Sequence, residues 1–324
     1  AASGKVVWQT KAAESNRPDT YAVTAAEGTV IAPANVWPGS PFGATEVVAL
    51  DSDTGAIRWR YHLLMRHQSI TCNFLPVIYD GSVFFSDSQG GVYRLSLEDG
   101  REQWAVEGAD RRTFTLGGVG LGPNGVLYLG SSLSGPYERG MIRALDLNGT
   151  LLWERKIGME IHAAPAMGAV RPGGPLALVI GAGTPTGVAE TKWEWLYRKL
   201  GLTPEYVFAG TVYALDAGSG AVLWTFAPEP WREKAAIGSN TSFYCMPDLW
   251  SLPVIAADGT VYINWSAGGV TYALRDANGD GVVDEGDPAE VSSYSSGTGA
   301  TGPPVIAPGM LVVGGCEHMY AFLD

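Results

Sequence analysis

Several things are scarce in this chain, and each scarcity removes a class of function. No apolar run reaches the ~18 residues of a membrane-spanning helix. Basic residues are outnumbered: 21 Lys and Arg stand against 33 Asp and Glu, a net charge of −12. Binding to a phosphate backbone depends on clustered cations, so a nucleic-acid partner is not expected. Only three cysteines occur, Cys72, Cys245 and Cys316. They allow at most one disulfide, and no CxxC or Cys/His metal spacing joins them, so they read as small buried apolar residues. No signal peptide is recognisable, and a start inside a repeat fits a processed or trimmed N-terminus. Long helical periodicities are nearly absent, and no Ser/His/Asp set or carboxylate pair has usable spacing.

What is abundant is turn chemistry: 43 Gly and 20 Pro accompany 11 Trp in 324 residues, a composition suited to a turn-rich all-β protein. The organising unit is V-Y-A-L-D-A-G-S-G-A-V-L-W, residues 212–224. Tyr213 and Leu215 face one side of an extended strand and Val212 and Ala214 the other, so both faces can be covered. Asp216 can accept amide hydrogen bonds in the turn, Gly220 can take a positive φ, and Ala221 to Trp224 begin the return strand.

The hairpin recurs as V-A-L-D-S-D-T-G-A-I-R-W from Val48, Y-R-L-S-L-E-D-G-R-E-Q-W from Tyr93 and R-A-L-D-L-N-G-T-L-L-W from Arg143. In these copies Gly55, Gly100 and Gly149 stand four residues before their Trp. A fifth copy keeps Tyr272-Ala-Leu-Arg-Asp276 and replaces the turn and Trp. The sixth is divided between the ends: Tyr320-Ala-Phe-Leu-Asp324 joined to Ala1-Ala-Ser-Gly4-Lys-Val-Val-Trp8 has the spacing of an intact copy. A repeat broken across the termini is expected where the first strand completes the last sheet of a ring. The expectation is a single all-β domain, residues 1–324: a six-bladed β-propeller of four-stranded antiparallel blades, closed by pairing of strands near Val6–Trp8 and Met319–Leu323.

In order along the chain, strand–turn–strand segments precede the hairpins around Glu27-Gly28, Asp80-Gly81, Asn124-Gly125, Asp258-Gly259 and Pro308-Gly309. An insertion at 184–205 interrupts the fourth copy. There Trp193, Leu196, Tyr197 and Leu200 have i, i+3, i+4, i+7 spacing, and Gly201 with Pro204 ends the run, which predicts one short helix packed on its own blade or serving as a lid or docking element.

The signature A-x-D-G-x-V-Y … V-Y-A-L-D-x-x-T-G-x-x-x-W resembles the PQQ-like β-propeller repeat of quinoprotein dehydrogenases and of the bacterial outer-membrane assembly propeller, over nearly the whole chain. The resemblance implies that Trp8, Trp59, Trp104, Trp153 and Trp224 dock between neighbouring blades. It also raises PQQ as a cofactor. The large PQQ dehydrogenases carry adjacent cysteines and usually eight blades, whereas here the cysteines are separated and the copies number six. The His and Arg of the soluble six-bladed PQQ glucose dehydrogenases find no motif match. A propeller fold does not fix a function.

In a four-stranded blade the loops after strands two and four share one face. The long segments 35–46, 131–140 and 184–205, and the connections 61–70, 107–113 and 227–248, all fall there, where binding on a rigid scaffold usually lives. Candidate ligand-binding residues are His67, Arg111, Arg112, His162, Trp231, Arg232, Tyr244, Asp248 and Trp250, a mix of cations and aromatic faces suited to a polar or anionic molecule or a glycan. His162 stands where the innermost strand of the fourth blade should begin, and a lone His is more often structural.

The fifth copy carries a metal motif, D-A-N-G-D-G-V-V-D-E-G-D over 276–287. Oxygen ligands at positions 1, 3, 5, 9 and 12 (Asp276, Asn278, Asp280, Asp284, Asp287), the carbonyl of Val282 and Gly281 at position 6 match an EF-hand-type calcium loop and resemble the dockerin variant. Structural calcium is expected, and it favours a secreted or otherwise extracytoplasmic location. The functional expectation is a non-catalytic binding or scaffold propeller docking a protein, peptide or glycan. The alternatives are a PQQ-dependent oxidoreductase and a carbohydrate-active lyase or hydrolase.

Overall fold

A computed structural model describes the chain apart from residues 1–3, 14–21, 36–42, 72–73, 111–112, 134–138, 184–199, 203–207, 232–249, 301, 316 and 324. Six small sheets follow one another in chain order. Sheet 1 holds β1 (Thr24–Ala26), β2 (Thr29–Ala34), β3 (Glu46–Asp51) and β4 (Ile57–His62), followed by the short helix α1 (Leu63–His67). Sheet 2 holds β5 (Val77–Tyr79), β6 (Ser82–Ser86), β7 (Val92–Ser96) and β8 (Glu102–Val106). Sheet 3 holds β9 (Gly120–Leu121), β10 (Val126–Ser132), β11 (Gly140–Asp146) and β12 (Leu151–Ile157). Sheet 4 holds β13 (Ala166–Ala169), β14 (Leu176–Gly183), β15 (Gly210–Asp216) and β16 (Val222–Phe226). Sheet 5 holds β17 (Val254–Ile255), β18 (Val261–Trp265), β19 (Val270–Leu274) and β20 (Val291–Ser295). Sheet 6 has three strands, β21 (Val305–Ala307), β22 (Met310–Gly314) and β23 (Met319–Leu323). Each sheet runs up and down, neighbour pairing neighbour.

The hairpins form as their residues dictate. Asp51 Oδ1 accepts the amides of Asp53 and Thr54, Asp146 Oδ1 those of Asn148 and Thr150, and Asp216 Oδ1 that of Ser219. The register shifts at the same place in three copies, after Ala49, Arg94 and Ala214, so a bulge twists each hairpin alike. Val212, Ala214 and Leu215 are fully buried, so β15 is indeed covered on both faces.

The chain divides into two compact units, residues 1–136 with 141–156, and residues 137–140 with 157–324. In the first, Thr24 Oγ1 donates to the Pro76 carbonyl at 2.8 Å, joining the first strands of sheets 1 and 2. Its outer join is made by tryptophan. Trp8 Nε1 donates to Ser52 O at 2.9 Å, Trp59 Nε1 to Leu97 O at 2.9 Å and Trp104 Nε1 to Leu147 O at 3.1 Å. Each indole lies flat on the hairpin glycine of the following copy. A Cβ on Gly55 would stand 2.4 Å from Trp8, one on Gly100 2.6 Å from Trp59, and both glycines have positive φ. No L side chain fits there. The dock expected of these tryptophans is therefore present for Trp8, Trp59 and Trp104.

In the second unit one apolar cluster joins sheets 4 and 5, with Val212, Ala214, Trp224 and Phe226 against Val261, Ile263, Trp265, Tyr272 and Val283. Gly168 of β13 lies against Ile255 of β17. Sheet 6 is thinner-covered, with Met319 and Leu323 exposed on β23.

Val6–Trp8 form no strand, and β23 pairs with β22 alone, so joining of the two ends is not observed among the described residues. Helix α1 was not anticipated, and the helix anticipated at 184–205 lies almost wholly outside the described residues. So do the three cysteines. Among the described residues no helix is long and apolar enough to cross a membrane.

Candidate functional site

The first unit assembles a polar cluster from β4, α1, β6, β7 and β8. Glu102 opens β8 and accepts a hydrogen bond from the Tyr61 hydroxyl of β4. His67 Nε2, at the end of α1, meets the same carboxylate oxygen at 2.9 Å. The His67 ring stands edge-on to Tyr93, 4.9 Å between centroids, and Tyr93 donates to Asp87 Oδ2 at 2.5 Å. Arg66 covers the Tyr61 ring at 5.1 Å. Burial pushes the Glu102 carboxyl up, but hydrogen bonds from Tyr61 and His67 and the charges of His67 and Arg66 outweigh it, leaving it below its ordinary value. Burial, then the neighbouring carboxylates, push both tyrosine hydroxyls up. They stay neutral donors at physiological pH.

Arg143 on β11 stands where four other copies have Tyr and the first has Val48, and it is buried. Its guanidinium donates to the carbonyls of Gly90 and Glu107, and burial depresses its pKa. Sequence reading did not single it out, although Arg in place of the repeated Tyr is visible there. Glu46 of β3 is a second buried carboxylate, paired with Arg60 at 3.0 Å and with His62.

The second unit places His162 before β13. Its Nε2 meets Glu160 Oε2 at 3.1 Å, and Arg139 pairs with the other Glu160 oxygen. The Glu160 backbone bridges Gly183 at the end of β14. His162 is thus a partner of a buried carboxylate. Trp231 bridges Phe208 through its backbone and packs on the apolar cluster. Trp250 is 2% exposed and stacks on Trp265 with centroids 5.6 Å apart, so it belongs to the core. Arg111, Arg112, Arg232, Tyr244 and Asp248 lie outside the described residues. Of the nine candidates, Trp231 and Trp250 share a cluster, and His67 and His162 each sit on a separate acid.

The loop 276–287 leaves β19 and returns to β20. Asp276 accepts the amides of Gly279 and Gly281, Asn278 that of Asp280, and Asp280 that of Val282. This folds the first half around alternate oxygen side chains. Thr225 of β16 donates to Gly281 O and accepts from Val283 N, tying the loop to sheet 4. Glu290, 2% exposed, was missed from the sequence: its Oε1 takes the amides of Ala277 and Asn278 and its Oε2 that of Asp284. It staples the start of the loop to its second half. The carboxylates as they stand are spent on amides, and among the described residues no three His, Cys, Asp or Glu side chains gather as a metal-holding group.

A family model described as outer membrane protein assembly factor BamB matches residues 1–177. The assembly factor BamB of Nitrosomonas eutropha is 25% identical over 231 residues, 65% of this chain and 51% of that protein. The serine/threonine-protein kinase AfsK of Streptomyces griseus is 24% identical over 54% of this chain and 22% of its own length. The chain thus spans about half, or less, of the curated relatives it matches. Among solved structures, the quinohemoprotein alcohol dehydrogenase ADHIIG of Pseudomonas putida HK5 aligns over 94% of this chain and 52% of its own, with TM-score 0.56 and 16% identity. A europium-containing methanol dehydrogenase aligns over 92% of this chain and 62% of its own, with TM-score 0.53 and 15% identity. These two likenesses show the fold alone.

Proposed function

Since this chain belongs to the outer membrane protein assembly factor BamB family of PQQ-like propeller repeats, we propose that it is a non-catalytic docking scaffold for a protein partner outside the cytoplasm. The observation that carries this reading is where each sheet spends its connecting chain. The links β1–β2, β5–β6 and β21–β22 are tight turns, whereas 35–45 follows β2, 63–76 follows β4, 184–209 follows β14 and 227–253 follows β16. Within an up-and-down sheet these four links leave from one end, the acidic link 275–290 between β19 and β20 being the long one at the other, and loops concentrated on one end of a scaffold suit it to recognition.

In this reading the six sheets are six blades of one domain, with Val6–Trp8 completing the edge of β23. The exposed Val6, Val7, Met319 and Leu323 support it, because closure would remove both apolar strips and the open edge. The loop 276–287 holds a structural calcium ion through Asp276, Asn278, Asp280, Asp284, Asp287 and the Val282 carbonyl. The alternating oxygens and the positive φ of Gly281 support that assignment.

The test is binding of extended peptides from outer-membrane proteins, with a glycan array and PQQ in parallel. Substitution at Met65 or His67, at the loop-rich end, should weaken peptide binding, while substitution at Asp53, in a tight turn, should not. Equal loss from both ends, or turnover of an alcohol or sugar with added PQQ, would replace the docking reading.

A further inference from the structure

We propose that Trp224 is the element through which cation binding in the loop 276–287 reaches the rest of the fold; this rests on the calcium reading above. The argument begins with the tryptophans of the other copies. Trp8, Trp59 and Trp104 each give the indole N–H to the carbonyl of the residue just past the third strand of the next copy, Ser52, Leu97 and Leu147. Aligned by the repeat, with Tyr272-Ala-Leu-Arg-Asp276 against Val48-Ala-Leu-Asp-Ser52, the equivalent residue of the fifth copy is Asp276, two past the end of β19 and the first residue of the acidic loop. Trp224 is the tryptophan that should address it. It is 2% exposed, and its Nε1 has no hydrogen-bond partner among the described residues.

A buried N–H without an acceptor costs about 1–3 kcal/mol of lost solvation. The three matched tryptophans avoid that cost, so the fold has the means to meet it. The neighbourhood is already connected. Trp224 lies between Leu223, whose carbonyl is 3.3 Å from where a Gly281 Cβ would stand, and Thr225, which is hydrogen-bonded to Gly281 and Val283. Val283 shares the apolar cluster of Trp224. The middle of the loop is thus pinned to β16 and Glu290 holds the amides of Ala277 and Asn278, so what an ion can rearrange at the start of the loop is Asp276, its side chain and its carbonyl. The orphaned nitrogen is an observation independent of the acidic residues, and the repeat register directs it to the end of the loop where ligand position 1 lies.

A ligand shifts a conformation only through a difference in affinity between the two arrangements. Drawing the oxygens of Asp276, Asn278 and Asp280 toward one ion reshapes the start of the loop. The arrangement in which the Asp276 carbonyl receives the Trp224 N–H satisfies both the ion and the buried donor. Calcium then completes, on the fifth copy, the dock that the short turns of the other copies make unaided.

Calorimetry of the whole chain, stripped with chelator and titrated with calcium, should be run beside NMR of indole-labelled protein. The Trp224 N–H resonance is assigned by its absence from Trp224→Phe or, if that variant does not fold, by its proximity to Val283. The expected result is a saturable heat, with the Trp224 resonance moving downfield and its solvent exchange slowing several-fold. Asp280→Ala should abolish both. Heat of binding with the Trp224 resonance unmoved overturns the coupling and leaves the calcium reading standing. Absence of heat overturns both, and a Trp224 shift that persists in Asp280→Ala overturns the coupling.

Discussion

The second and fifth copies of the repeat solve one joining problem in two ways. At the second, the turn between β7 and β8 is short, Gly100 takes a positive φ, and Trp59 lies on it with its N–H on Leu97 O. At the fifth, the turn has become a twelve-residue acidic loop stapled by Glu290, and Trp224 keeps its burial while losing its acceptor. The difference teaches that packing and hydrogen bonding in this dock are separable: an insertion can preserve the apolar contact and forfeit the polar one.

The largest expected effect tests the shared half of that comparison. Trp59→Ala and Trp224→Ala should each cost about 3–5 kcal/mol in denaturant melts, the range for deleting a buried aromatic. A Trp224→Ala cost near zero would break the comparison, because the fifth dock would then be no dock at all. Glycine substitution separates the two turns next. Gly100→Ala forces a Cβ to 2.6 Å from Trp59, whereas Gly279, also at positive φ, has no atom within 4 Å of its Cβ position. Gly279→Ala should therefore cost about 1–2 kcal/mol for left-handed backbone alone, and Gly100→Ala clearly more. Thermal melts giving equal losses would show that the Trp–Gly contact adds nothing to the turn.

Removing the charge of the staple comes third. Glu290→Gln keeps the shape but weakens three charge-assisted amide bonds, an expected loss of about 1–3 kcal/mol. It should appear in hydrogen exchange at Ala277, Asn278 and Asp284 first. The smallest effect lies in the first unit, as a reference outside the fifth copy. The Glu102 carboxyl is held below its ordinary value of 4.5 in the folded chain. Its contribution is therefore fully present above that value and is lost as pH falls through the lower folded value. Wild type should lose stability more steeply than Glu102→Gln in this acid range, and superimposable melting curves would remove Glu102 from the account.

The strands and hairpins were readable because each copy repeats the same local chemistry: an Asp to cap amides, a glycine for positive φ, an alternating strand to bury. The acidic loop 276–287 stood out for the same reason, since its oxygen side chains follow one another at fixed intervals. What could not be read is contact across sheets. Glu102 meets Tyr61 and His67 from a different sheet and Glu160 meets Arg139 from an earlier connection, while the nearer partners of Glu46 on β4 and of Glu290 in its own loop depend on register and loop folding that side-chain spacing does not announce. Helix α1 spans only five residues, too few for a helical period to show. Trp250 looked like a ligand platform because an aromatic residue in a connection has the same sequence whether it faces solvent or Trp265.

The Trp–Gly contact has a genealogical consequence. Trp8 rests on Gly55, Trp59 on Gly100 and Trp104 on Gly149, so every contact is shared between one copy and its successor. Neither partner can drift alone: a side chain gained at the glycine or an indole lost from the tryptophan injures two copies at once. Duplication or deletion of any one of the first three copies leaves each new junction with a tryptophan on one side and a glycine on the other. The lineage can therefore change its number of repeats more readily than the residues at their seams.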